Sequence, residues 1–463
     1  MQGFFEQDRE DPKKRDVVVR IKDYEEIYEV FSPKRARRQS KRCVQCGDPY
    51  CHSDNGCPLH NFIPHWLKAT ADRDMEFAFR LSNDSSPFPE VMGRVCPHDR
   101  LCEGACTLND GHGAVTIGSV EAFISEEGFR QGLKPHFATE KLGKKVAVIG
   151  AGPAGLSAAT FLAREGIDVE VFDKQRRPGG LLTYGIPGFK LDKKVIARRV
   201  ELLEEAGVVF HLQTEVGRDV TFDKLLESFD AVFIGVGATK GRKAGINGEE
   251  ARGVHLAMDF LTSVQKKLFN EPQEHPIDVR DKRVAVIGGG DTAMDCVRTG
   301  LREGAKSVTC YYRRDAHNMP GSRKEYINAK EEGVAFEFYT SPRQILKNEH
   351  GDVIGIEMVR TQLSEPDSSG RRRVENIPGS TFTVEADVVI FALGFDAVEY
   401  PFLASNGIET DKWGGILVDE NRQTTKAGVY AGGDCHRGAD LVVTAAYDGR
   451  EAARAIVTSF LNG

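Results

Sequence analysis

Two short stretches, "KKVAVIGAGPAG" (144–155) and "KRVAVIGGGDTA" (282–293), repeat one plan within a chain of 463 residues. Each has a basic start, a β-rich apolar run and a glycine-rich turn. A helical pattern follows, "LSAATFLAREG" or "MDCVRTGLREG", and stops at glycine. Each helix leads into another strand, "IDVEVFDK" or "KSVTCYYRR". Two such βαβ units predict an α/β chain with two Rossmann-like, doubly wound domains. Further strands ending in glycine are expected within 231–242, 386–395 and 427–434. The longest uncharged run, Val146 to Ala163, contains Gly150, Gly152, Pro153 and Gly155 and reads as strand, turn and helix, not as a membrane span.

The turns carry the chemistry. In a dinucleotide fingerprint the first glycine permits a tight turn, the second lets backbone approach a pyrophosphate, and the third allows close helix–strand packing. Gly150, Gly152 and Gly155 fit this plan, with Pro153 and Ala154 opening the helix. Its free N–H groups favour phosphate. Asp173, at the end of the next strand, is placed to accept hydrogen bonds from a ribose. The second turn has Gly288 and Gly290, then Asp291, Thr292 and, in the third position, Ala293. Its matching strand end carries Arg313 and Arg314 instead of an acid. Guanidinium groups there bind a 2′-phosphate, so this site predicts NADPH over NADH; the alternative is a solvated arginine pair.

Sixty-two basic and 69 acidic residues give a net charge of −7, which argues against a general nucleic-acid binder. The N-terminus alternates charges without an apolar signal core, so a soluble, cytoplasmic protein with no membrane partner is expected. Ten cysteines in such a chain are expected to be reduced. Seven fall between Cys43 and Cys106, as Cys43-x2-Cys46-x4-Cys51-x5-Cys57 and Cys96-x5-Cys102-x3-Cys106. One C-x2-C pair is a weak case for zinc. Cys57-Pro58 and Cys96-Pro97 match the ferredoxin habit of sending a Cys-Pro thiol to a second cluster. Seven thiols would serve two iron–sulfur clusters if one ligand were not cysteine. No Cys-x-x-Cys pair follows residue 106, and Cys296 and Cys310 read as packed thiols.

Two cofactor turns on one chain, with "GVYAGGDC" near the end, resemble the two-dinucleotide-binding-domain flavoproteins, in which an NADPH domain is inserted into an FAD domain. That resemblance implies an FAD site including Gly180, Gly237, Gly433, Asp434 and Thr444, hinge-like strand ends at Gly237 and Gly394, and a helix near "DLVVTAAYDG" aimed at the flavin ring. Over essentially the full length, "RCVQCGDPYC", "CPLHNFIPHWL", "GRVCPHDRLCEGACTLND", "GAVTIGSVEAFI", "GIPGFKL" and "YYRRDAHNMPGSR" resemble the small subunits of bacterial NADPH-dependent glutamate synthases. The family's crosswise sharing implies one cluster on Cys43, Cys46, Cys51 and Cys106, and another on Cys57, Cys96, Cys102 and Glu121. Glu121 could alternatively be an exposed acid at a helix start. Five residues separate Cys51 from Cys57 where relatives often have three, and Gly56 would let the extra two loop out.

The resemblance implies the domains 1–142 (helical, two clusters), 143–270 and 386–463 (FAD) and 271–385 (NADPH). The stretch 270–281 would link the halves and "EPDSSGRRR" (365–373) would be a hairpin tip. It also implies a partner, the glutamate synthase large subunit, which would turn L-glutamine and 2-oxoglutarate into two L-glutamate. Two other readings stay open: a paralogous NAD(P)H oxidoreductase feeding a ferredoxin or another reductase, and a zinc-stapled scaffold. The basic run "SPKRARRQSKR" (32–42) is either a solvated helix face or a docking surface for that partner.

Overall fold

The computed structural model describes residues 3–366 and 372–462. Its centre is two five-stranded parallel sheets. The first orders its strands Val429–Ala431, Ala231–Ile234, Lys145–Ile149, Asp168–Asp173 and Val209–Leu212. The second orders them Val254–Leu256, Val388–Phe391, Arg283–Ile287, Ser307–Tyr312 and Ala335–Phe338. The strand leading into each glycine turn is buried beyond its first residue, as both faces of a parallel sheet require.

This pairing corrects the expected domain limits. Val254–Leu256 and Val388–Phe391 flank Arg283–Ile287 in the second sheet, so the limits at 270/271 and 385/386 move outward. The chain crosses between lobes through a two-stranded antiparallel ribbon, Lys240–Gly241 against Phe395–Asp396. Gly237 and Gly394, with φ of 72° and 97°, stand at its ends, and the Arg242 amide donates to the Gly394 carbonyl at 3.0 Å. Residues 270–281 therefore lie inside the second lobe, between helix Ala257–Leu268 and strand Arg283–Ile287. An antiparallel sheet of Thr340–Lys347, Val353–Leu363 and Val374–Glu385 extends that lobe. The expected hairpin lies between the last two strands, and residues 367–371 of its tip fall outside the described residues.

In the first lobe, helix Pro153–Arg164 packs against the C-terminal helix Val442–Asn462. The approach is close: Ser157 donates to the Ala446 carbonyl at 2.6 Å, and a methyl at Gly449 would overlap the Ala154 carbonyl. The N-terminal unit is helical, with helices Pro33–Ser40, Ile63–Asp72, Met75–Ser85, Pro89–Val95 and Ile117–Arg130 around the fully buried Trp66. Proline in the first turn and the caps Ser32 and Asp74 set several of their starts. Buried arginines weld this unit to the first lobe. Arg199 pairs with Glu90 at 2.6 Å with both side chains sealed, and Arg450 donates to the Leu59 and Ser85 carbonyls at 2.7 and 2.9 Å. Residues 14–28, expected with the helical unit, instead also strap the second lobe, through Lys14–Glu331, Arg20–Glu332 and Tyr24–Glu303.

Candidate functional site

One cavity of about 2360 Å³ runs between the lobes and under the helical unit. Both glycine turns open onto it. Gly150 has φ +99°, and a methyl there would stand 2.5 Å from the Gly235 carbonyl; Gly288, at φ +149°, has the Ala392 carbonyl in the same place. The second glycines differ in kind. A methyl at Gly152 would find only Gly180 Cα, at 4.0 Å, and one at Gly290 would find nothing within 4 Å. That open space is the cradle a pyrophosphate needs. Helices Pro153–Arg164 and Asp291–Arg302 both start on a glycine without a side-chain cap, leaving first-turn N–H groups free for it. In the third position a methyl at Gly155 would overlap the Gly150 carbonyl, whereas Ala293 is accommodated and fully buried.

Of the residues expected to bind dinucleotide, Gly150, Gly152, Pro153, Ala154, Asp173, Gly180, Gly237, Gly288, Gly290, Asp291, Thr292, Arg313, Arg314 and Asp434 line this cavity. Gly155, Ala293, Gly433 and Thr444 do not; they shape the wall from behind. Gly433 packs where a methyl would be 2.9 Å from Ala154 Cβ, and Thr444 bonds back to Leu441 at the start of its helix. Each oxygen of the Asp173 carboxylate accepts one backbone N–H at 2.7 Å, from Ala151 and Gln175, which leaves lone pairs for a ribose. Burial raises its pKa against those two bonds. Burial also pushes Asp434 up to about 7. Arg314 has a buried Nε with no partner, an orphan donor that suits a phosphate group.

The thiols sort into two neighbourhoods. Cys43 lies within electrostatic reach of Cys106 and Cys46, and Cys51 within reach of all three. Cys96 feels Glu121 and Cys57, and Cys102 feels Cys57, Cys96 and Glu121. Cys51 also feels Cys57, which joins the two groups. Burial pushes Cys43 and Cys57 up to about 11 and Cys51 to about 12, so metal binding would have to release their protons. Among the described residues no three His, Cys, Asp or Glu side chains converge as single-ion ligands do. Seven thiols with one buried carboxylate are a donor set that [4Fe–4S] groups, which are held by four ligands each, could take.

Cys57, Cys96, Cys102 and Glu121 line one small cavity. Glu121 is not an exposed acid: it is buried on the inner face of helix Ile117–Arg130. Burial and the charge of Glu90 push its carboxyl up to about 8, and the hydrogen bond from Asn61 opposes them. A sealed carboxylate beside three thiols suits a metal cluster. The gap before Cys57 folds as a short 3-10 turn, Tyr50–His52, and a second turn closed by Ser53. Gly56 serves close approach more than flexibility, since a methyl there would overlap the Tyr50 carbonyl.

Three residues, Cys96, His98 and Val443, line both the small cavity and the large one. His98 and Val443 were not singled out from sequence, although His98 lies between Cys96 and Cys102 and Val443 in "DLVVTAAYDG"; only folding brings them together. Lys190 and Arg100 were also missed, although they sit in the quoted stretches "GIPGFKL" and "VCPHDRLCEGAC". Arg100 reaches from the cysteine loop to the Pro320 carbonyl at 2.7 Å and to Asp291 at 3.4 Å. The basic run 32–42 is largely spent within the chain. Arg35 and Arg38 pair with Glu10, Arg37 donates to the Ala71 carbonyl, and the buried Arg42 holds the carbonyls of Gln7, His112, Gly113 and Ala114. Cys296 and Cys310 are fully buried, as expected of packed thiols.

Residues 144–449 match the family profile of pyridine nucleotide-disulphide oxidoreductases, and residues 20–133 match that of dihydropyrimidine dehydrogenase domain II, 4Fe-4S cluster. The glutamate synthase [NADPH] small chain of Escherichia coli (strain K12) is 49% identical over 98% of both chains. The chain belongs to the glutamate synthase small-chain family. It is an oxidoreductase with a 4Fe-4S domain ahead of a Rossmann-like flavoprotein fold. AegA of the same organism, which carries the designation oxidoreductase, is also 49% identical, over 97% of this chain and 69% of its own length. Among solved structures, Mycobacterium tuberculosis FprA in complex with NADPH shares the fold, with a TM-score of 0.58 and 21% identity over 69% of this chain and 85% of that one.

Proposed function

We propose that this chain is the electron-input small chain of an NADPH-dependent glutamate synthase. It binds FAD, NADPH and two [4Fe–4S] clusters and delivers electrons to a large chain that forms two L-glutamate from L-glutamine and 2-oxoglutarate. When bound, these groups supply the redox chemistry itself: hydride acceptance from NADPH by the flavin and one-electron conduction by the clusters. The protein's part is to hold and align them. The turn at Gly150–Gly155 and Asp173 hold the flavin dinucleotide, and the turn at Gly288–Ala293 with Arg313 and Arg314 holds NADPH. The helix Val442–Asn462 sets its first turn against the same cavity. Hydride transfer needs alignment and exclusion of water more than a proton donor, so no general acid or base is assigned.

The observation that carries the reading is the common wall of Cys96, His98 and Val443, which puts one thiol set directly beside the dinucleotide cavity. Two clusters are read as Cys43, Cys46, Cys51 and Cys106, and as Cys57, Cys96, Cys102 and Glu121. No helix among the described residues is long and apolar enough to cross a membrane. The equal identity to AegA favours one rival, the same input module serving another acceptor.

Reconstitution separates the two. NADPH- and glutamine-dependent glutamate formation with a cognate large chain supports the proposal; normal NADPH-to-dye turnover without it assigns the module to another partner. Anaerobic purification should give about eight irons with matching sulfide per chain, and zinc without sulfide would leave only a scaffold.

A further inference from the structure

The side chain of Asn61 is the hub of a sealed hydrogen-bond chain. Its Nδ2 donates to Glu121 Oε1 at 2.8 Å, and its Oδ1 accepts from Trp66 Nε1 at 3.2 Å and from Ser85 Oγ at 3.1 Å. All four residues are buried, with Asn61 itself 3% exposed. The indole N–H can only donate, so it fixes the amide oxygen on its own side, and the amide NH₂ must then face Glu121. The orientation of Asn61 is thus set by two groups outside the thiol cavity and passed on to a carboxylate inside it.

The rest of the frame is equally rigid. Asn61 lies four residues after Cys57 in a loop whose Leu59 carbonyl is held by Arg450 of the C-terminal helix, as is the carbonyl of Ser85. Trp66 is fully buried in the helix that follows. Asn61, Glu121, Cys57, Cys96 and Cys102 all line the small cavity. One carboxylate oxygen is occupied by the amide, which reserves the other for that cavity.

We propose that Asn61 is a positioning residue for the cluster held by Cys57, Cys96, Cys102 and Glu121, locking the carboxylate so that a single oxygen is presented as the non-cysteine ligand. The proposal rests on the reading of Glu121 as a ligand, and its test keeps the two apart. A carboxylate free to rotate would offer either oxygen, or swing away, and the cluster would lose its fourth corner.

The experiment uses the full chain, purified anaerobically with flavin. Asn61→Asp keeps the acceptor for Trp66 and Ser85 but removes the donor to Glu121. Its expected effect is a changed EPR signature and midpoint potential for one cluster, or a fall from about eight to about four irons per chain, with FAD content and the other cluster's signal unchanged. The double variant Asn61→Asp with Glu121→Gln restores the hydrogen bond with its polarity reversed and should recover the iron and a single homogeneous signal. Ser85→Ala, a milder change, should shift the same signal in the same direction, and it decides the matter if Asn61→Asp does not fold. Glu121→Ala reads the ligand assignment on its own. If Glu121→Ala alters one cluster while Asn61→Asp and Ser85→Ala leave spectrum, potential and iron as in the wild type, the positioning role is wrong and the ligand stands. If Glu121→Ala changes none of the three readouts, the ligand reading itself falls, and this inference with it.

Discussion

Lys190, from the segment between helices Leu181–Tyr184 and Lys193–Glu205 of the first lobe, pairs with Asp295 on the second lobe's glycine-turn helix Asp291–Arg302, Nζ to Oδ1 at 2.9 Å, with side chains only 13% and 8% exposed. Burial works against the ammonium, but the carboxylates of Asp295, Glu325 and Asp291 outweigh it and hold Lys190 charged. Both residues line the large cavity, so this pair clasps the lobes across the space where two dinucleotides are proposed to meet. Replacing Lys190 with Met should strand a buried carboxylate and cost about 3–5 kcal/mol. Adding Asp295→Leu should recover most of that loss. Chemical denaturation of the three proteins reads both numbers, and a loss below about 1 kcal/mol in the single variant would show that the pair does not clasp the lobes.

Arg313 and Arg314 both reach the cavity, and Arg314 holds an unpartnered buried Nε. Charge-assisted hydrogen bonds are worth about 1.5–3 kcal/mol each. Changing both residues to Ala should therefore weaken NADPH binding by about a hundredfold or more while changing NADH binding by less than about threefold. Equilibrium titration with the two nucleotides measures the ratio. Equal losses would mean that the arginines do not read the 2′-phosphate.

Asp434 gives a pH dependence of unusual sign. Burial raises its carboxyl from an ordinary 3.8 to about 7, so between these values the folded chain binds the extra proton. Its contribution to stability is intact below about pH 4 and is lost as pH rises through 7. In flavin-free protein, Asp434→Asn should thus raise the thermal midpoint more at pH 8 than at pH 5. A variant whose advantage does not grow with pH would contradict the burial argument.

The third turn positions offer a paired test. Gly155→Ala drives a methyl into the Gly150 carbonyl and should cost more than about 3 kcal/mol, or abolish flavin retention. Ala293→Gly in the second lobe removes a fully buried methyl and should cost only about 1–2 kcal/mol. Flavin content and melting temperature of the two variants would reverse in order only if the turns were not built as described.

Both Rossmann-like units were legible in the sequence because their signals are local. An apolar run, glycines at fixed spacing and a helical period lie within about thirty residues and need no distant partner. The cysteine spacing was legible for the same reason, since its gaps lie within short stretches of the chain. The lobe boundaries were less legible. Val254–Leu256 and Val388–Phe391 carry nothing that says which sheet they join, and only pairing with Arg283–Ile287 decides it.

What the sequence determined by itself was an α/β oxidoreductase with two dinucleotide turns behind a cysteine-rich helical unit, since each motif is a short-range pattern tied to backbone geometry. What the tertiary structure alone decided was how these parts meet. Cys96 and Val443 are 347 positions apart yet share a wall, Arg42 is buried as a tether instead of standing on a basic face, and Glu121 is sealed against Asn61. Burial and long-range hydrogen bonding set those outcomes, and neither leaves a periodic mark on the chain.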